Sequence, residues 1–300
     1  MNRLPLLALL PLLLLGACSR NPTLVIIQRL APGGGGVGTS DGAQFDVVVR
    51  MEGDATGFHA PDLMRVVVDD VDRTADVMLG GLYGILRFDP PPAGLHRVEL
   101  FARTGPRVDS FTWTVVPYAG PTVASVAPAM ARAGTQVQIA GTGFGAGALR
   151  VFFGGVEGAV DASSATEITA TVPAGAPPGL VWVLVGAEAA EGVVEFQPLD
   201  AADLPVPMPT GVRLFAAFPG HGEVEAPVRI YGVNFSNAAV PFFNDLHCVR
   251  VLAVETVNLP LVGDILTAYA VPLPEAPSGV GTLRLRHSFT DSNSLPFTLD

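Results

Sequence analysis

Lysine is absent from the 300 residues, so all 17 basic side chains are arginine, set against 28 acidic ones for a net charge of −11. A nucleic-acid binder needs a cationic face to displace counterions from phosphates, and no basic cluster supplies one, which excludes nucleic acid as a partner. A polybasic attraction to anionic lipid is excluded on the same ground. Cysteine is nearly missing as well, with two in the chain, Cys18 and Cys248. Charged residues make only 15% and aromatics 7%. Beyond the first eighteen residues, no apolar run approaches the roughly 20 needed to span a bilayer as a helix. The chemical motifs are missing too. There is no Gly-x-Ser-x-Gly of a serine hydrolase, no His-x-x-x-His or Cys/His pairing for zinc, and no Asp-x-Asp-x-Asp-Gly calcium loop. Gly141-x-Gly143-x-x-x-Gly147 has the wrong spacing for a phosphate loop and no lysine to serve it. No catalytic residue and no cofactor can be named, and a non-enzymatic protein is expected.

What is present in quantity is glycine, 34, and proline, 27. That composition breaks helices and favours many short strands joined by turns. At this length the chain fits two or three sandwich modules of roughly 100 residues each.

Arg3 precedes an apolar run from Leu4 to Leu15, interrupted only by Pro5 and Pro11 and followed by Gly16, Ala17 and Cys18. Too short to span a membrane, the run reads as a signal peptide over 1–17. Leu15-Gly16-Ala17-Cys18 resembles the bacterial lipobox at all four positions. The resemblance implies cleavage after Ala17 and diacylglyceryl modification of Cys18, followed by a short tether over 18–21. Two or three palmitate-type acyl chains hold a protein on a membrane stably where one does not, at roughly 0.8 kcal/mol per buried methylene. Ser19 stands where aspartate signals inner-membrane retention in many lipoproteins, which favours the outer membrane. Using Cys18 for lipid leaves Cys248 without an intrachain partner, so the modules must fold without disulfides.

Past residue 120 the sequence repeats. Pro128, Val137, Ile139, Gly141 and Phe144 recur 91 residues later as Pro219, Val228, Ile230, Gly232 and Phe235. The copies then drift apart, with Val172-Pro173 answered by Val271-Pro272 and Phe196 by Phe297. The second copy thus carries about ten extra residues, mostly between Asn237 and Val262. Val137 and Ile139 alternate with Gln136 and Gln138 as in a strand with one buried face. Gly141-Thr142-Gly143-Phe144 then turns sharply and returns Phe144 to the core as a plug.

These residues resemble the IPT/TIG family of immunoglobulin-like modules, which runs Pro, Gly-Thr, a Val-x-Ile strand, Gly-x-Gly-Phe, a Val-x-Phe strand and Val-Pro. The resemblance covers Pro121 to Leu199 well and Thr210 to Asp300 more weakly. In the weaker copy Asn234 stands at the Thr-Gly-Phe step, and asparagine, the commonest non-glycine residue at positive φ, preserves the turn. The expected fold is all-β, tandem immunoglobulin-like β-sandwiches at 22–118, 119–199 and 210–300, with a proline-rich linker over 200–209. Such a linker resists collapse, and the modules are expected to project as a semi-extended rod.

Residues 22–118 lack the IPT/TIG landmarks but alternate as strands at Phe45-Val47-Val49, Val98-Leu100-Ala102 and Phe111-Trp113-Val115. Ala31 to Gly42, with its four-glycine run, reads as an unstructured loop or tether. Asp69, Asp70 and Asp72, near Asp62 and Asp76, follow the Val66-Val67-Val68 strand as a solvated turn, with calcium as the alternative. His59, His96, His221, His247 and His287 are scattered.

Leu180-Val181-Trp182-Val183-Leu184-Val185 is apolar on both strand faces. Either both faces are covered, by another module or a partner, or Trp182 is a ligand contact on an exposed surface, with carbohydrate stacking the sharper form. The sequence thus points to an extracytoplasmic, membrane-anchored structural or protein-interaction module. Its partners would be the membrane and an envelope or extracellular protein, with a polysaccharide-binding accessory or adhesion module as the alternative and a cryptic hydrolase as the third reading.

Overall fold

A computed structural model describes residues 25–31, 37–40, 45–52, 64–80, 83–88, 94–102, 105, 107–117, 120–222, 228–247, 249–273 and 275–299. Ala17, Cys18, His59, Asp62 and Cys248 lie outside the described residues. The described chain is strand after strand, with one short 3-10 turn at Thr74–Asp76 and no helix long and apolar enough to cross a membrane. It forms tandem immunoglobulin-like β-sandwiches.

In the first module one sheet orders Val25–Ala31, Phe45–Glu52, Tyr83–Phe88 and Val77–Gly80. The other orders Val37–Ser40, Arg107–Pro117, Gly94–Ala102, Met64–Val68 and Val71–Asp72. Alternation decides which residues face inward, so Met64, Val66, Val68, Val98 and Leu100 are buried while Arg65 and Arg97 are exposed. The structure departs from the expected loop at Ala31 to Gly42, because Val37–Ser40 pairs in parallel with Thr114 to Pro117. A sheet edge offers backbone donors and acceptors to any segment able to extend, and Val-Gly-Thr-Ser can.

The second module runs as one hydrogen-bonded path through Thr122–Ala127, Gln136–Thr142, Glu167–Thr171, Val156–Ser163, Leu149–Phe153, Gly179–Val185, Val194–Leu199 and Met130–Arg132. The sheet folds over on itself around Val137, Ile139, Phe144, Phe153, Ile168, Val183 and Phe196. Phe144 is the expected plug. It sits under Gly141, where an added Cβ would lie 2.5 Å from its ring and 1.9 Å from the Thr122 carbonyl oxygen, so only glycine fits.

The third module repeats this order. Arg213–Phe218, Val228–Val233, Gly263–Pro272 and Val249–Leu259 make one sheet, and His221–Gly222, Leu295–Leu299, Gly279–His287 and Val240–Phe243 the other. Gly232 answers Gly141, with a Cβ there 2.1 Å from the Arg213 carbonyl oxygen and 3.0 Å from the Phe235 ring. Asn234 takes φ 61° as its residue type predicts, and its side-chain amide donates to the Pro209 and Gly211 carbonyls at 2.6 and 2.9 Å. The extra residues lengthen a hairpin. Its strands span 11 and 10 residues, against 8 and 5 for their counterparts Val156–Ser163 and Glu167–Thr171.

Residues 200–209 do not act as a free spacer. The connector folds back on the second module, with Leu199 bridged to Pro205 and the Val206 N–H donating to the Pro198 carbonyl at 3.0 Å. The Gln197 side-chain amide donates to the Pro198 and Val206 carbonyls, both at 2.9 Å, and Arg132 pairs with Asp203. Proline keeps the connector extended, but the Val206 carbonyl within it remains an acceptor, and the Gln197 side chain uses it.

Candidate functional site at the junction of two modules

Strand Gly179–Val185 is buried at every position. Its odd-numbered valines, Val181, Val183 and Val185, fill the core of the second module. Its even-numbered residues, Leu180, Trp182 and Leu184, point the other way and join a second cluster with Phe152 and Ala189. That cluster is continuous with Leu214, Phe215, Ala216, Ala217 and Ile230 of the third module. One strand therefore serves two cores, which is why its sequence shows no polar face. Of the two readings open for this stretch, the structure takes the covered one. Trp182 is only 3% exposed and lies 5.0 Å from the Phe152 ring, so it is not an open face for stacking.

The backbones approach closely because glycine stands at the contact points. A Cβ on Gly155, whose φ is 77°, would lie 2.1 Å from the Leu214 carbonyl oxygen, and one on Gly179 would lie 2.9 Å from the Phe215 ring. Polar groups around the apolar patch are paired across it. Asn293 donates to the Gly155 and Leu214 carbonyls at 3.3 and 3.0 Å and accepts from the Leu214 N–H at 2.8 Å. Arg213 donates to the Gly154 carbonyl at 3.2 Å, and burial pushes its guanidinium pKa below the ordinary value. His221 meets Glu188 at 3.0 Å. The lengthened hairpin of the third module also reaches across. The N–H groups of Leu261 and Val262 at its tip both donate to the Glu195 carboxylate of the second module, at 2.6 and 2.9 Å.

Sequence reading flagged the strand and Trp182 but missed their partners. Arg213, Asn293 and Glu195 carry no motif, and only the surplus of residues in the second copy pointed toward the hairpin. The remaining candidates lie elsewhere. Asp69 and Asp70 take positive φ, 48° and 65°, in the two-residue turn between Met64–Val68 and Val71–Asp72. Asp69 is partly desolvated, which opposes its ionisation, but the Arg97 N–H and His96 outweigh this and lower its pKa. The His96 contact is 2.6 Å. Asp72 accepts from the hydroxyl and backbone N–H of Thr74, which lower its pKa. These carboxylates are thus turned toward protein donors, and among the described residues no three His, Cys, Asp or Glu side chains gather as metal ligands. His247 lies 5.8 Å from the Phe242 ring, and His287 meets the Ser236 hydroxyl at 3.0 Å.

The plug phenylalanine, the glycine packed against it and the repeated strand order are landmarks of one module type. Residues 121–194 match the IPT/TIG domain model. The third module reproduces the architecture of this IPT/TIG domain outside the matched residues. Comparison with curated proteins finds no match. Among solved structures, the chain aligns at 13% identity with the Bacteroides ovatus protein SGBP-B of a mixed-linkage glucan utilization locus, in complex with a mixed-linkage heptasaccharide. That alignment covers 92% of this chain and 69% of the other, with a TM-score of 0.23. A titin I-band fragment, I67–I69, aligns at 8% identity over 92% of this chain and 97% of its own, with a TM-score of 0.22.

Proposed function

We propose that this chain is a membrane-anchored, extracytoplasmic lipoprotein, held through Cys18, that works without catalysis as a structural and protein-interaction module of the cell envelope. The observation that carries the reading is the shared core at strand Gly179–Val185, which makes the second and third modules one body. A stiff two-module unit displays its outer surfaces at a fixed relative orientation, which suits simultaneous contact with a partner over both. The acyl anchor and the outer-membrane destination rest on Leu15-Gly16-Ala17-Cys18 and Ser19. A glycan-binding role is the weaker reading, because an open aromatic platform is its usual requirement and Trp182 is closed beneath the third module.

The test is made in intact cells. Cys18→Ser is expected to move the protein from the membrane fraction to the soluble one. Photocrosslinking from exposed positions of the third module, such as Val280, is expected to trap one recurrent envelope or exported protein. An unchanged membrane fraction would contradict the anchor. Saturable polysaccharide binding without any crosslinked protein would contradict the interaction role.

A further inference from the structure

Directly opposed residues in a sheet point to the same face. In the third module Ile230 pairs with Ala268 and Val228 with Ala270, and these four line the core. Arg229, Tyr231, Thr267 and Tyr269 therefore point away from it, with Glu255 opposite Thr267 on the next strand. An outward sheet face ordinarily meets water, but Tyr269 is 1% exposed, Thr267 2% and Arg229 7%. Something outside the module's own core must lie on this face. The second module accounts for one end, where Leu180 and Trp182 join the cluster that holds Ala216, with Tyr231 packed against it.

At the other end the first module arrives. Its strands Val77–Gly80 and Tyr83–Phe88 lie against Val249–Leu259. Val77–Gly80 and Val249–Leu259 are each the last strand of their own sheet, so two edges stand side by side without joining into one sheet. This contact differs in chemistry from the junction, which buries mostly leucine, tryptophan, phenylalanine and alanine. Here the Tyr269 hydroxyl donates to the Glu255 carboxylate at 3.3 Å, and the Thr267 hydroxyl is buried with no hydrogen-bond partner. Closure takes that hydroxyl out of water and gives it nothing in return, and polar contacts between modules permit relative motion where a shared apolar core does not.

We propose that the first module is a reversible cover on the outer sheet face of the third, opening and closing while the second and third modules stay one body. Closed, it withholds Tyr269, Thr267 and Glu255 from any partner. Open, it releases a face with a tyrosine of the kind that anchors protein contacts. The motion stands without the protein-interaction reading, and only its consequence rests on that reading.

Hydroxyl-radical footprinting of the full mature protein, read residue by residue by mass spectrometry, tests the cover. Phe289 is a fully exposed standard, Phe243 a buried one, and Trp182 reports on the junction in the same sample. Tyr269 is expected to be oxidised faster than Phe243 and far more slowly than Phe289. Thr267→Val keeps the side-chain shape and removes the unpaired hydroxyl, so it should lower Tyr269 oxidation about threefold to tenfold with Trp182 unchanged. Thr267→Arg sets a charge under the cover and should raise Tyr269 toward the Phe289 rate, again with Trp182 and Phe243 unchanged. The proposal is overturned if Thr267→Val leaves Tyr269 unmoved, or if Tyr269 and Trp182 change together. Should Thr267→Arg also expose Phe243, that variant has unfolded the module and the Thr267→Val result decides alone. A responsive Tyr269 without any crosslinked partner in cells would keep the cover and remove the interaction role, whereas the reverse result would remove this inference alone.

Discussion

Strands Gly179–Val185 and Gly279–His287 hold the same place in successive modules. Each pairs with a strand following the plug phenylalanine, with the last long strand of its module and with a two-residue partner. The first reads GLVWVLV and is buried on both faces. The second reads GVGTLRLRH, with Leu283 and Leu285 inward and Thr282, Arg284 and Arg286 on the outer side. Strand geometry is common to both, so the outward residues record what lies against them. The third module covers one strand, while the other turns arginines outward that pair with Asp245 and Asp291. A module junction is thus written as the loss of the polar half of a period-two pattern.

The comparison breaks most sharply at Trp182. Trp182→Ala should cost about 3–5 kcal/mol, the range for deleting a buried aromatic, and should lower the denaturation midpoint of both modules together. Trp182→Phe should cost under about 1.5 kcal/mol, because it keeps the ring packing and removes an N–H that has no acceptor. Equal losses in the two variants would show that the indole nitrogen is satisfied.

Next in size is a matched pair of glycines. Gly155→Ala places a Cβ 2.1 Å from the Leu214 carbonyl oxygen and should cost about 2–4 kcal/mol by forcing the modules apart. Gly175 has nearly the same φ, 75°, but open space around it, so Gly175→Ala should cost only the backbone strain of about 1–2 kcal/mol. Glu195→Gln leaves the N–H groups of Leu261 and Val262 facing a weaker acceptor. A loss of about 1–2 kcal/mol is expected, with faster hydrogen exchange at those two amides.

The smallest effect belongs to the uncovered strand. The Arg286 guanidinium holds the Asp291 carboxyl below its ordinary value of 3.8, against partial desolvation. A carboxylate with a lowered folded-state pKa stabilises above the unfolded value and loses that contribution as pH falls through the folded one. Midpoints of the wild type and Asp291→Asn should therefore differ slightly above about pH 4 and converge below it.

Much of this architecture was legible in the sequence because strand alternation and turn chemistry are local. Gln136-Val137-Gln138-Ile139, the Gly141 to Phe144 turn and Asn234 each state their conformation within a few residues, and the structure keeps them. The junction was half legible. Leu180, Trp182 and Leu184 announced a second buried face, but nothing local said that Leu214 to Ala217 would cover it. The same limit explains the connector and the strand at Val37–Ser40, whose places depend on carbonyls and sheet edges far along the chain.

Native-state hydrogen exchange of the mature chain across a denaturant series tests the shared core most directly. Amides of Gly179–Val185 and of Leu214–Ala217 are predicted to open with one common free energy and one common denaturant dependence. Opening of the third-module amides at lower denaturant, while Gly179–Val185 stays protected, would contradict the account of the two modules as a single body.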